Sequence, residues 1–435
     1  MLRVVANDQH SAELPVAIIG AGPIGLAAAA NLVERGITPL ILEAGETVAA
    51  SIRDWGHVRF FTPWSYLVDP AGQRLLEEHS DWEMLEEDYV PLASEFLDGY
   101  LDRLAALEFI APHVRLQHKV VAVTRIGHDR MKDGEREAAP FLIVAHSPEG
   151  AVRYRASAVI DASGTWTTPN PLGAAGVLAD GEEELSEFIR YGIPDIAGGE
   201  RHRYEGKRVL VVGSGHSAIG SVLELAALSS ENKQTQVAWA VRKTDPSTLW
   251  GGGSSDELKE RGALGMKVHE AVHSGLVTLL QGLSISALRR EAHGIVVADV
   301  EGQDQVMVDE IIVATGSRPD LDMLRELRLD LDVPTESTRA LGPLVDPNHH
   351  SCGSVPPHGV EELKHPETGF FMVGMKSYGR APTFLARTGY EQVRSVVAEL
   401  DGDHEAAHSV ELTLPQTGVC SSDLAYGGKG SGGCC

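Results

Sequence analysis

Two segments of this chain share one pattern. VAIIGAGPIGLAAAANLVERGITPLILEAG spans residues 16–45; RVLVVGSGHSAIGSVLELAAL spans residues 208–228 and is followed, after a polar turn, by QVAWAVRK. Each opens on a short apolar run rich in β-branched residues, passes through glycines, and continues as an alanine- and leucine-rich stretch before returning to an apolar run. Such a pattern is a strand–helix–strand unit, whose two strands must lie parallel. Two of them in 435 residues predict an α/β chain with a parallel sheet in each of two domains.

The rest of the chain fits around these units. PLASEFLDGYLDRLAALE reads as a helix, with Leu92, Phe96, Leu101, Leu104 and Leu107 at helical spacing. Strands are expected around VRLQHKVVAVTRI and FLIVAHS, separated by the charged turn MKDGERE. AVIDASGTW (158–166) and DEIIVATGSRPD (309–320) form a second matched pair, and residues 370–400 read as strand, loop and amphipathic helix. The expected division is 1–166, 167–308, 309–410 and a Gly/Ser-rich tail, 411–435.

The glycines carry chemistry. Gly20, Gly22 and Gly25 form G-x-G-x-x-G between strand and helix. The first permits a tight turn, the second lets the backbone approach a pyrophosphate, and the third lets helix and strand pack closely. Glu43 ends the next strand, where a carboxylate can accept hydrogen bonds from a ribose. Gly213, Gly215 and Ala218 repeat the motif as G-x-G-x-x-A, but Arg242 and Lys243 stand in the region of the acid. Cations there pair with a 2′-phosphate that a carboxylate would repel, which favours NADPH. His216 reads as a surface or cofactor-edge residue. Two sites in one chain call for two dinucleotides, with hydride passing from NADPH to a flavin.

GAGPIG with Glu43, GSGHSA, and the paired DASGT and ATGSRPD segments resemble the two-dinucleotide-binding-domain flavoproteins over most of residues 15–400. That group includes the flavin-containing monooxygenases and the pyridine-nucleotide disulfide reductases. The resemblance implies two Rossmann-like domains, the NADPH domain inserted in the FAD domain. It assigns Gly20, Gly22, Gly25 and Glu43 to FAD, with Ala314, Thr315 and Gly316 lining the FAD domain. Gly213, Gly215, Ser217 and Ala218 fall to NADPH, with Arg242 at its 2′-phosphate; Lys243 joins the NADPH candidates from its place at the strand end. Three departures stand out. The monooxygenase motif F-x-G-x-x-x-H-S is absent from FIRYGIPDIAGGERHRYEGKRV; no cysteine precedes Cys352, so the body dithiol of the reductases is missing; and their C-terminal G-D segment appears as VGMKSYGRAP.

Other candidates are less specific. Pro382 can open a helix whose positive end faces a reduced flavin. Arg53, Trp55, His57, Arg59 and Trp64 read either as a substrate entrance or as a packed loop. His349, His350, Cys352 and His358 lack regular zinc spacing and read as a solvated loop, so no metal is expected. Cys434 and Cys435 end the chain, beyond Cys420. A vicinal pair suits a soft ion or an easily reduced disulfide, and the tail reaches roughly 50 Å at most. The resemblance adds that mercuric reductases and large thioredoxin reductases also end in a redox-active pair.

A net charge of −25 argues against nucleic acid and anionic membrane as partners. Without an apolar run of membrane length or a secretory signal, a cytoplasmic enzyme is expected, with a homodimer left open. The favoured activity is NADPH-driven, FAD-dependent oxygenation of a small nucleophile. The alternative is reduction of a disulfide, metal ion or metalloid through Cys434 and Cys435. A flavin-bound redox sensor or a metal-binding module is the non-enzymatic reading.

Overall fold

The computed structural model describes residues 14–349, 355–381, 384–410 and 412. Along the chain come β1 (Val16–Ile19), β2 (Pro39–Leu42), β3 (Val114–Arg115), β4 (Lys119–Arg125), β5 (Phe141–Ser147), β6 (Gly150–Ala156) and β7 (Ala158–Asp161). After them follow β8 (Ile189–Tyr191), β9 (Arg208–Val212), β10 (Gln236–Val241), β11 (Val277–Gln281), β12 (Ile285–Glu291), β13 (Gly294–Asp299), β14 (Asp304–Val308) and β15 (Glu310–Val313). The last strand is β16 (Phe370–Met372). They divide between two compact units. Unit 1 holds the described parts of 1–168, 317–344 and 356–414, and unit 2 those of 169–316 and 345–355.

Unit 1 is built on a parallel sheet of order β16-β7-β1-β2-β3. Its strands β16, β7, β1 and β2 are short and buried on both faces, as a parallel sheet requires. One face meets the antiparallel sheet β4-β5-β6 through Ala17, Ile19, Val123, Ile143, Val159 and Phe370. The helix Pro23–Glu34 is apolar nearly all round, and its Ala27–Ala30 run is wholly buried. A helix with so little polar surface must be an interior one. The helix Ala386–Leu400 closes on it: a Cβ at Gly389 would come 2.5 Å from Ile24 Cδ1.

The expected helix at 92–107 is present from Ala93 to Ala105, but Leu97–Leu101 winds as a π-turn. Gly99 lies in that turn, and a Cβ there would press on Trp64 at 3.1 Å. The widened turn fits the indole against a residue without a side chain.

Unit 2 repeats the plan with a parallel sheet of order β11-β10-β9-β15-β8. Alternation along β10 fixes its faces. Val237, Trp239 and Val241 pack under the helices His216–Glu231 and Lys259–His273, while Ala238 and Ala240 face the antiparallel sheet β12-β13-β14. The expected return to the first domain was at 309. β15 instead pairs with β8 and β9, so the chain stays in unit 2 through Gly316. Both units are thus Rossmann-like, and the second is inserted in the first.

Candidate dinucleotide sites

In unit 1 the loop after β1 is shaped by its glycines. Gly20 has φ +97°, and a Cβ there would lie 2.9 Å from the Ala162 carbonyl oxygen. A Cβ at Gly25 would sit 2.0 Å from the Gly20 carbonyl oxygen, so helix and turn touch backbone to backbone. Gly22 differs: a Cβ there would meet nothing within 4 Å. Gly22 is also the N-cap of Pro23–Glu34, and no side chain caps that end. Open space beside uncapped N–H groups is the feature that accommodates a pyrophosphate.

Glu43 braces this loop. One carboxylate oxygen accepts the Ala21 N–H at 2.7 Å and the other the Gly45 N–H at 2.8 Å. A carboxylate has about four acceptor positions, so two remain for ribose hydroxyls. The residues present therefore fit a dinucleotide.

The loops after the neighbouring strands β7 and β16 complete the rim. β7 ends in Asp161, fully buried, whose partner in β16 is Met372. The turn Gly374–Tyr378 follows β16 and carries Lys376, also fully buried; a Cβ at Gly374 would meet Ile24 at 3.0 Å. Sequence reading singled out neither Asp161 nor Lys376. The available signals were an acid closing an apolar strand in AVID and a lysine near the place of the usual acid in VGMK.

Unit 2 forms the second cradle. Gly213, at φ +132°, packs on Ala314, whose carbonyl oxygen would lie 2.2 Å from a Cβ. Gly215 caps His216–Glu231 with no side-chain hydrogen bond, and a Cβ there meets nothing within 4 Å. His216 and Ser217 stand half-buried in the first turn, and Ala218 is buried beneath it. Trp239 donates its indole N–H to the Gly213 carbonyl at 2.7 Å, fixing the turn to β10.

One expected placement changes here. Ala314, Thr315 and Gly316, placed by the resemblance in the FAD domain, lie in unit 2 beside the second glycine turn. Thr315 donates its hydroxyl to the Asn170 carbonyl at 3.0 Å, and the Asn170 amide returns a bond to the Thr315 carbonyl at 3.1 Å. After β10, Arg242 is exposed, whereas Lys243 is 8 % exposed. Alternation after β10 turns one outward and the next inward.

The aromatic run 51–70 also separates. Trp64 is fully buried against Phe96, so it belongs to the core of unit 1. Trp55 stacks edge-on against Phe60 at 5.5 Å and lies near Trp166, which donates to Asp54. Arg53 pairs with Asp102 and Arg59 donates to the Val90 carbonyl, while His57 is half-buried. His349 is exposed, whereas His358 is buried, its Nε2 3.0 Å from the Gln392 amide nitrogen. Burial lowers the pKa of His358, because a charged imidazolium is costly there. The expected solvated histidine loop thus includes one interior histidine. His350, Cys352, Pro382, Cys420, Cys434 and Cys435 lie outside the described residues; the helix after Pro382 is described from Ala386. Among the described residues no group of three His, Cys, Asp or Glu is placed to hold a metal.

A family model described as pyridine nucleotide-disulphide oxidoreductase matches residues 17–342. The chain belongs to that family. It is accordingly a flavin-dependent oxidoreductase. It is 24% identical over 347 residues to ferredoxin–NADP reductase 1 of Cupriavidus necator, covering 74% of this chain and 79% of that one. It is 28% identical over 224 residues to human flavin-containing monooxygenase 1, covering 50% of this chain but 38% of the relative. The bacillithiol disulfide reductase of Bacillus cereus shares its fold, with a TM-score of 0.65 at 20% identity over 90% of this chain and 100% of that one. Among the described residues no helix is long and apolar enough to cross a membrane.

Proposed function

We propose that this chain is an NADPH-oxidising, FAD-dependent enzyme that oxygenates a small nucleophilic substrate. The observation that carries the two-cofactor part is the pair of uncapped helix ends at Gly22 and Gly215, each with open space where a side chain would stand. FAD, when bound, supplies hydride acceptance and onward electron delivery. Gly20, Gly22 and Gly25 would bind its pyrophosphate and Glu43 its ribose. Gly213, Gly215, Ser217 and Ala218 would bind the nicotinamide dinucleotide. Ala314, Thr315 and Gly316 are now better assigned to that second cradle. Arg242, exposed at the end of β10, would select the 2′-phosphate, with Lys243 contributing charge from beneath. The likeness to flavin-containing monooxygenases, and a body without cysteine before Cys352, support oxygenation.

A second reading is an NADPH-dependent reductase of an external acceptor. The greater coverage of the ferredoxin–NADP reductase favours it, and Cys434 with Cys435 offers a thiol route to a disulfide, metal or metalloid. Anaerobic mixing of FAD-loaded protein with NADPH tests the common core: the flavin absorbance should bleach, and no bleaching overturns both readings. A thiol count after that reduction separates them. Two new thiols in the wild type and none in Cys434→Ser/Cys435→Ser select the reductase; no new thiols remove the thiol route.

A further inference from the structure

A buried ion pair stands at the rim of the first cradle, unused by the reading above. Asp161 and Lys376 expose no surface to solvent. Lys376 Nζ lies 2.7 Å from Asp161 Oδ2 and donates to Ser163 Oγ at 3.0 Å. Ser163 donates its hydroxyl at 2.7 Å and its backbone N–H at 3.1 Å to Asp161 Oδ1. Taking two such charges out of water costs several kcal/mol per ion, so the pair is not a source of cheap stability.

Its geometry has a definite result at Ser163. A serine hydroxyl has one hydrogen and two lone pairs. The hydrogen is committed to Asp161 and one lone pair to Lys376, which leaves a single acceptor site. Ser163 is exposed, so that site is open to an incoming group. The position is also defined: Ser163 Cα lies 3.0 Å from where a Gly20 Cβ would stand. β1, β7 and β16 are adjacent, and their following loops gather at the carboxyl edge of the sheet, where open α/β sheets bind ligands.

We infer that Asp161 and Lys376 are positioning residues that hold Ser163 as a hydrogen-bond acceptor for an alcohol group of the dinucleotide in the first cradle. The inference rests on the FAD reading of that cradle. FAD offers such groups on its ribityl chain and its ribose, and either satisfies the chemistry.

The test is FAD titration of apoprotein, followed by flavin fluorescence, alongside thermal unfolding of the apoprotein. Ser163→Ala should weaken FAD binding about tenfold, which is ~1.4 kcal/mol; it also strips two hydrogen bonds from the buried pair and so lowers the unfolding temperature, with the apoprotein still folded where the titration is run. Asp161→Asn/Lys376→Met removes both charges together and leaves neither buried alone. It should lose affinity to the same extent, and adding Ser163→Ala should cost nothing more, because all three act through one hydroxyl. Wild-type affinity in Ser163→Ala, or losses that multiply, overturns the inference. If the neutral-pair variant does not fold, the Ser163→Ala titration decides alone. Failure of the wild type to take up FAD overturns the cofactor reading itself, a result distinct from a silent Ser163→Ala.

Discussion

A methyl group added at Gly25 would sit 2.0 Å from the Gly20 carbonyl oxygen, whereas one added at Gly22 meets no protein atom within 4 Å. The two positions therefore separate folding from binding. Gly22→Ala should unfold within ~1 kcal/mol of wild type yet lose at least tenfold in FAD affinity. Gly25→Ala should lose ~1–3 kcal/mol or more of stability as well. Urea unfolding of the apoproteins, set against flavin titration, checks both. Asp69 gives a pH prediction at the same scale. It caps the helix Pro70–His79 through Gly72 at 2.8 Å, and burial pushes its carboxyl up to about 7, against the pull of Gly72 and Arg74. The folded state thus keeps a proton that the unfolded chain releases near pH 4. Stability should fall as pH rises from about 4 to about 7, by on the order of a few kcal/mol. Asp69→Asn keeps a capping oxygen and should flatten that part of the stability–pH curve. The motif glycines were legible because turn, approach and packing each demand them. Lys376 was not, because an isolated lysine in a sequence reads as surface.

Whole elements depend on buried charge too. Arg125 in β4 and Arg136 in the turn after it both bond the carboxylate of Glu367, at 2.8 Å each. All three side chains are interior, and Arg125 also stacks over Phe141 at 3.7 Å. Burial opposes ionisation of Glu367, but the two guanidinium groups outweigh it and hold its carboxyl below the usual range. Glu367→Gln leaves two arginines without their counter-charge and should cost about 3–5 kcal/mol in urea unfolding. At this scale both strand–helix–strand units, β4, β5, β16 and the helix Ala386–Leu400 follow from apolar patterning together with the glycine and charged turns between the runs. The placement of β15 does not. Its EIIV run, three apolar residues after one acid, resembles the first-unit strand AVID, and only pairing with β8 and β9 decides which sheet receives it.

For the molecule as a whole, the sharpest expectation concerns the choice of nicotinamide. Arg242 is the exposed cation at the end of β10, so Arg242→Ala should raise the KM for NADPH about tenfold or more, the loss of one charged contact. The KM for NADH should stay within about twofold. Steady-state oxidation of the two coenzymes measures this, and equal losses for both would place Arg242 outside the phosphate site. The sequence showed that two cations follow the strand; it did not show that Lys243 turns inward, since side-chain direction depends on where the strand ends.

The two ends of the 169–316 stretch of unit 2 are each closed by a backbone bond. The Asn170 N–H bonds the Gly316 carbonyl at 2.9 Å, and just inside unit 1 the Arg318 N–H bonds the Thr168 carbonyl at 3.0 Å. The 169–316 stretch is thus a cassette with adjoining ends: a graft from a relative can be spliced at the same two bonds, and the flanking parts of unit 1 can be rejoined across the excision by a short bridge. If the nicotinamide binds in the second cradle as proposed, changing the electron donor becomes a matter of exchanging that stretch, with the first cradle left as it stands.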